Sequence, residues 1–334
     1  MTPPPLVTVI IPALNEESDI AGCIDAVGEQ DYGAEHIQLV LVDSGSTDGT
    51  VAEASAAARR HAFADVVLGH NTRRRTSISL NVGLDQAQGG YTGRVDARSR
   101  IEPAYVSTCV RLLKENGAIG VVGGAQVATA RTSRHLDQGL ARALRNRWAT
   151  GLSRYRRGSA SGPSDTVWMG FFRTDELRAL GGWSEAVALN EDYDLNERYR
   201  RAGYVVWFEH TLHSAYLPRQ SLGLLARQYF YFGRVKGTWW ARGSRPAPRQ
   251  LALVAAPVGA SVALAVVVRR LGPVAVLTVP AGLIALEAAG ADSTATAPVH
   301  AAAVASITTL ACSWWAGTVI GFAGELVGVH HRHG

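Results

Sequence analysis

The N-terminal half alternates short β-branched runs with helical spacing, and each run ends in polar residues. Leu6 to Ile11, Ile37 to Val42, Val66 to Leu68 and Tyr91 to Val95 read as strands. Helical spacing follows from Ser18 through Ile20, Ile24 and Val27, then from Val51 to Arg60, then near Ser77 to Gln86. Such alternation predicts an α/β domain with a parallel sheet that takes ligands at the carboxyl ends of its strands. Those ends carry Asn15 and Glu16, then Asp43 and Ser44, then Asp96, so a nucleotide site is expected among them. The same domain is expected to continue through a strand at Ile119 to Val122, a basic stretch from Arg131 to Arg157, a helix from about Glu191, and a strand in AGYVVWF.

The apolar excess lies at the other end. Hydrophobic residues make up 47% of the chain and charged residues 18%, but from Leu251 onward charges are sparse. Three apolar stretches follow: Leu251 to Val268, Leu271 to Leu286 and Val299 to Gly324. The first is near the minimum for crossing a bilayer core, the second is broken by Pro273 and Pro280, and the third is long enough to span. A soluble helical subdomain is the alternative. From Arg219 to Arg249 there are seven basic residues and no acidic one, immediately before the first apolar stretch. That placement assigns the net charge of +5 to a membrane surface, not to nucleic acid. The expected division is therefore residues 1–218 as the α/β domain, 219–250 as a basic amphipathic juxtamembrane segment, and 251–334 as an anchor of two or three transmembrane helices. The positive-inside rule puts the α/β domain in the cytoplasm. Arg269 and Arg270 then fall outside if the first stretch crosses, which leaves the topology open.

Cys23, Cys109 and Cys312 are far apart, odd in number and without metal spacing, as in a reducing compartment. The opening MTPPPLVTVIIP lacks the charged and apolar regions of a secretory signal. No HExxH, GxSxG or GxxxxGK[ST] occurs, which argues against a metalloprotease, an α/β-hydrolase and a P-loop enzyme. The terminal HHRHG has no structural context that would make it a metal site.

Two segments carry the strongest chemical signal. In VTVIIPALNEE, Pro12 is read as ending the strand ladder, which frees Asn15 and Glu16 to meet a ligand or cap the next helix. In LVLVDSGSTDGT a strand delivers Asp43 to its end, and a carboxylate buried there needs partners such as a uracil ring or ribose hydroxyls. Asp48 and Thr50 also fit turn formation and helix capping.

Taken in order, IIPALNEE, VDSGSTDGT, RVDARSRIEP, GFFRTDEL with LGGWSEAVALNEDYDLNERYRRAGY, and RQYFYFGRVKG resemble the family 2 glycosyltransferases, and within them the bacterial exopolysaccharide enzymes of the succinoglycan type. The resemblance spans about residues 6 to 245. It implies a GT-A fold, a Rossmann-like nucleotide-diphospho-sugar transferase domain, followed by C-terminal transmembrane helices in a multi-pass protein of the cell membrane. It implies inverting transfer from a UDP-sugar donor to a polyprenyl-linked or glycan acceptor, with membrane lipid as a partner and no nucleic acid.

By position, the resemblance assigns Pro12, Asn15, Glu16 and Asp43, with Ser44 beside it, to the uridine. Asp96 matches the first acid of the DxD motif, which in the family helps hold Mg²⁺ or Mn²⁺; here the motif reads Asp96-Ala97-Arg98, and the missing second acid puts metal use in doubt. Arg98 either supplies positive charge to the diphosphate itself or points to solvent. Arg75, with Asn81 on the following turns, is the best candidate for the donor phosphates among Arg73, Arg74 and Arg75, and a solvated basic turn explains Arg73 and Arg74 equally. Asp192 matches the family's catalytic base and Glu191 is its runner-up, while capping of the helix explains the same acids locally. Asp165, Trp168, Gly170 and Phe171 fall on the acceptor side, with packing an equal reading for Gly170. Gln228 and Arg234 sit where processive relatives carry a QxxRW-like motif, and an interfacial helix explains them equally. Two other functions fit parts of the pattern: a nucleotidyltransferase, and a non-catalytic nucleotide-sugar-binding membrane scaffold.

Overall fold

The computed structural model describes residues 3–150, 154–187, 189–244, 251, 269–270, 284–285, 287–290 and 295–327. The chain forms two compact units, Met1–Val127 with Leu152–Tyr216, and Ala128–Gly151 with Leu217–Gly334.

In the first unit, β1 (Val7–Ala13), β2 (Ile37–Asp43), β3 (Asp65–His70) and β4 (Tyr91–Arg94) alternate with α1 (Glu17–Gly28), α2 (Thr50–Ala58) and α3 (Thr76–Asp85). They are followed by β5 (Ser99–Ile101), α4 (Tyr105–Glu115) and β6 (Ile119–Ala128). The second unit then contributes α5 (His135–Arg145) and α6 (Arg147–Thr150). The first resumes with α7 (Arg154–Arg157), β7 (Gly162–Pro163), β8 (Trp168–Arg173), α8 (Thr174–Ala179), α9 (Glu191–Arg201) and β9 (Val205–Tyr216). The described strands form one sheet in the order β3-β2-β1-β4-β8-β6-β9-β5, with β7 paired to β9.

The expected parallel sheet holds for β1 to β4. Beyond β4 the pairing turns antiparallel: Gly93 lies opposite Phe171, and β6 pairs with β8 in the same sense. Burial periodicity reports which faces of a strand are covered, and not which way the strand runs. Gly93 is needed at that junction, because a Cβ there would enter the Phe171 ring.

Both faces of β1 and β2 are covered, which explains their near-continuous apolar runs, while the edge strand β3 leaves Val66 and Leu68 exposed. Val7, Val9 and Ile11 point to the layer of Ile20, Ile24, Val106 and Leu113, while the intervening Ile10 packs with Leu80, Leu84 and Leu195. The one polar residue among them, Thr8, is satisfied in register: its hydroxyl donates to Gln38 Oε1 at 2.7 Å.

Pro12 does not end the ladder. It lies inside β1 opposite Val42. Ile10 O accepts from Val95 N, so the alternate residue Pro12 faces the same side, where β4 has already ended at Arg94. A missing N–H therefore removes no strand pairing.

In the second unit, α10 (Leu222–Ala241) and α11 (Ala297–Leu326) run side by side in the same direction. Gly233 abuts Trp314 O, Gly237 abuts Thr318 O, Gly317 abuts Phe230 O and Gly321 abuts Arg234 O, so no Cβ fits at any of the four. Small residues four apart let backbones approach this closely. Arg242 and Glu325 close the pair with a 2.8 Å ion pair. Among the described residues, α11 alone is long and apolar enough to cross a membrane, with 30 residues and mean hydropathy 1.4. The apolar stretches from Leu251 to Val268 and from Leu271 to Leu286 lie almost wholly outside the described residues, as does HHRHG. The described residues thus contain one candidate span where the sequence reading counted two or three.

Candidate active site

The ends of β1 and β2 are tied together. Asn15 takes a left-handed backbone (φ 53) in the loop after β1. There its amide donates to Ser46 Oγ and its Oδ1 accepts from Thr47 N, both at 2.9 Å. Asp43 is 5% exposed, and its carboxylate accepts from Gly45 N at 3.0 Å and Ser46 N at 3.1 Å. The buried carboxylate that the sequence singled out is therefore paired with backbone amides that shape the loop. Gly45 has φ 78, a conformation open to glycine, and this turn brings both amides back to the acid. Ser44 Oγ meets Ser79 Oγ at 2.9 Å, and Asn71 Nδ2 donates to the same Ser79. Glu16 N donates to Thr50 Oγ1 at 2.8 Å. Asp48 accepts from Thr50 N at 3.1 Å, the turn role expected for it.

The acids at the next strand end converge on an arginine that the sequence reading passed over. Arg94 is the last residue of β4, and its side chain is 7% exposed. Its Nε donates to Asp96 Oδ1 at 2.7 Å, and its Nη1 donates to Glu191 Oε1 at 2.8 Å and Asp192 Oδ1 at 2.7 Å. Glu191 and Asp192 are the first two residues of α9, and Asn190 before them adopts φ 61 to turn the chain into the helix. A helix N-terminus favours negative charge. Burial nevertheless pushes the Asp192 pKa up to about 7, with the charges of Glu191 and Asp96 adding to the rise and Arg94 opposing it. Burial also works against the charge on Arg94, but Asp192, Asp96 and Glu191 hold its pKa well above the ordinary value. The result is a fixed cation among three acids, one of which changes protonation near neutrality. A carboxyl group of that kind suits general-base work.

Strained backbone gathers at the same place. Among the described residues the non-glycine residues with positive φ are Asn15, Arg74, Met169 and Asn190. Each stands beside a loop or acid already named: Met169 Sδ accepts from Asp96 N at 3.3 Å, and Arg74 Nη2 donates to Gly45 O at 3.1 Å. Asparagine tolerates this region, whereas for methionine and arginine it costs on the order of 1–2 kcal/mol.

Arg98 points inward. Its side chain is 12% exposed, with Nε 3.4 Å from Glu16 Oε1 and the guanidinium 5.2 Å from the centre of the Tyr216 ring. Its Nη1 is buried with no hydrogen-bond partner among the described residues. For a divalent ion the donor set is thin. No three of His, Cys, Asp and Glu are disposed to hold a metal ion among the described residues, and Asp96 already shares one oxygen with Arg94. One carboxylate does not make a resident site, but it does fit an ion carried in on substrate phosphates.

The other expected residues divide. Arg75 Nη1 donates to Glu185 O at 3.0 Å and Arg73 Nη2 to Glu185 Oε2 at 2.9 Å, while Asn81 bonds the backbone of Trp183, so these side chains tie α3 to the 183–185 loop. Arg74, rated below Arg75 on sequence, is the one that reaches the loop beside Asp43. Asp165 is 86% exposed and lies 3.9 Å from Arg200. Gly170 is a packing glycine, since a Cβ would meet the Phe172 ring at 2.8 Å and Val121 at 3.0 Å. Gln228 and Arg234 are half-buried on α10 of the second unit. Arg94 was open to detection: it is a charged residue in the short strand YTGRVD, and buried charge requires partners.

Comparison with known proteins identifies the family and the fold. The family model described as glycosyl transferase family 2 matches residues 8–176. The chain is 30% identical over 265 residues to the succinoglycan biosynthesis protein ExoA of Rhizobium meliloti, covering 78% of each. It is 23% identical over 242 residues to a dolichyl N-acetyl-alpha-D-glucosaminyl phosphate 3-beta-D-2,3-diacetamido-2,3-dideoxy-beta-D-glucuronosyltransferase of Methanococcus voltae, covering 71% of this chain and 74% of that one. Among solved structures it resembles a mannosyltransferase of Pyrobaculum calidifontis in complex with GDP-Man and Mn²⁺, with a TM-score of 0.61, 22% identity, and coverage of 96% of this chain and 88% of that one. The fold is that of the GT-A glycosyltransferases. The chain belongs to glycosyl transferase family 2 and is a glycosyltransferase.

Proposed function

We propose that this chain transfers a sugar from a UDP-sugar, with inversion, to a lipid-linked or glycan acceptor in cell-surface or exopolysaccharide biosynthesis. The observation that carries the reading is the meeting of Asp192 with Asp96 on the Arg94 guanidinium. In this reading Asp192 takes the proton from the acceptor hydroxyl as its oxygen attacks the anomeric carbon. The bond from that carbon to the diphosphate breaks on the opposite face, and UDP leaves with the electron pair. Asp43, Asn15 and Glu16 define the uridine end, and Asp96 the ribose and diphosphate end. Arg98, whose Nη1 lacks a partner among the described residues, supplies positive charge to the leaving diphosphate. A divalent ion, Mg²⁺ or Mn²⁺, would neutralise the same charge when bound, with Asp96 as its carboxylate ligand from the protein.

Attachment to the cytoplasmic face of the membrane is part of the proposal. It is supported by α11 as a candidate span and by Arg227, Arg234 and Lys236 on α10 beside it. The experiment is release of nucleoside diphosphate by membranes containing the protein, with a panel of UDP-sugars and GDP-mannose, a lipid-linked acceptor fraction, and Mg²⁺, Mn²⁺ or EDTA. One UDP-sugar should support turnover that Asp192→Asn abolishes. Turnover with GDP-mannose alone overturns the donor assignment, and UDP binding without turnover of any donor favours the non-catalytic reading.

A further inference from the structure

We propose that Arg94 is the positioning residue of the transfer step: one guanidinium holds the acceptor-side carboxylate of Asp192 and the donor-side carboxylate of Asp96 in a single fixed frame. The inference rests on the functional reading above and adds to it a role for Arg94 that the resemblance does not assign.

The geometry is specific to arginine. Nε engages Asp96 while Nη1 engages Glu191 and Asp192, so different edges of one planar group serve the two sides of the site. A planar fork transmits orientation, whereas an ammonium group is a point charge without a fixed plane. The anchor is rigid, because Arg94 is backbone-paired opposite Ile10 in the middle of the sheet. Asp96 follows β4 and Asp192 opens α9, and among the described residues the hydrogen bonds that bring the two acids together run through this side chain.

A purely structural ion pair is the competing account, and the charge balance argues against it. One buried cation facing Asp96, Glu191 and Asp192 leaves an excess of acid, each group at most 21% exposed. Fold stability gains nothing from desolvating extra like charges, so such a cluster is the pattern of a functional site.

The test compares Arg94→Lys, Arg94→Gln and Arg94→Ala in the full-length protein in membranes. Kd for UDP, KM and kcat with the active donor, and thermal stability are measured for each. Positioning predicts that Arg94→Lys stays folded, binds UDP within about threefold of wild type, and loses kcat on the order of 10²-fold, because a displacement of about 1 Å is enough for that loss. It also predicts that guanidinium ion, added to Arg94→Ala, restores part of kcat in a dose-dependent way, and that ammonium at equal ionic strength does not. If Arg94→Ala does not fold, the Lys and Gln variants decide on kcat alone. A folded Arg94→Lys protein with kcat within threefold of wild type overturns the proposal while leaving the glycosyltransfer reading intact. Wild-type membranes inactive with every donor overturn both.

Discussion

Asp96 and Asp192 bond the same arginine, through Arg94 Nε and Nη1 respectively, each at 2.7 Å. One acid follows a strand of the parallel half of the sheet and the other opens a helix far along the chain. In the proposed function, their meeting marks where donor and acceptor chemistry coincide.

As the proposed base, Asp192 should set the pH dependence. Its pKa lies near 7, raised chiefly by burial. A base must be deprotonated, so kcat/KM, which reports the free enzyme, should rise with pH and level off above that value, falling about tenfold per unit on the acid side. The sign is opposite to that of a general acid, which would lose activity as pH rises. A kcat/KM profile flat between about pH 5 and 8 removes Asp192 as the base. Replacing Asp192 by Asn should lower kcat by about 10²–10⁴ on the plateau above neutrality while UDP still binds.

Arg98 should affect donor binding more than folding, because its Nη1 forms no hydrogen bond within the described residues. A hydrogen bond to a charged group contributes about 1.5–3 kcal/mol, so Arg98→Ala should raise the Kd for the UDP-sugar roughly tenfold to a hundredfold. Arg98→Asp restores the second acid of the motif and should increase the dependence of turnover on Mn²⁺. Calorimetric Kd values within twofold of wild type for both variants would count against a diphosphate role.

Asp43 carries a structural role together with its proposed ligand role. Its carboxylate receives two backbone amides at 5% exposure, so Asp43→Ala leaves Gly45 N and Ser46 N without their acceptor. The expected loss is about 2–4 kcal/mol, read as a lower Tm, with weaker UDP binding alongside. An unchanged Tm would show that the loop does not depend on this acid.

The parallel half of the site was legible in the sequence because chemistry and periodicity coincide there. Apolar runs covered on both faces must stop where the strands stop, and Asp43, Ser44 and Asp96 stand at those stops. The antiparallel half was not legible, since the burial of Val121, Phe171 and Phe172 fits either strand direction. Pro12 misled for a local reason: a proline breaks a strand only where a partner waits on its nitrogen side, and β4 has ended by then. The arginines before α3 were ranked by nearness to the helix start, yet loop geometry sends Arg74 to Gly45 and Arg75 to Glu185. Arg94 escaped because its partners are distant in sequence and only the fold brings them to it.

The glycine crossing between α10 and α11 gives a prediction for the second unit. Gly317 and Gly321 face the carbonyls of Phe230 and Arg234, while Gly233 and Gly237 face those of Trp314 and Thr318. In a membrane the association of helices rests on such close packing more than on apolar burial, because lipid tails compete equally for apolar side chains. Leucine at Gly317 must therefore push the helices apart, whereas leucine at Gly324, where a Cβ meets nothing within 4 Å, should be tolerated. Gly317→Leu is expected to expose the segment around Arg242 to trypsin in membranes, since the Arg242–Glu325 pair depends on the same register. Gly324→Leu serves as the control and should cleave like wild type. Equal cleavage of Gly317→Leu and wild type would mean that the backbones do not approach as closely as the four glycines allow.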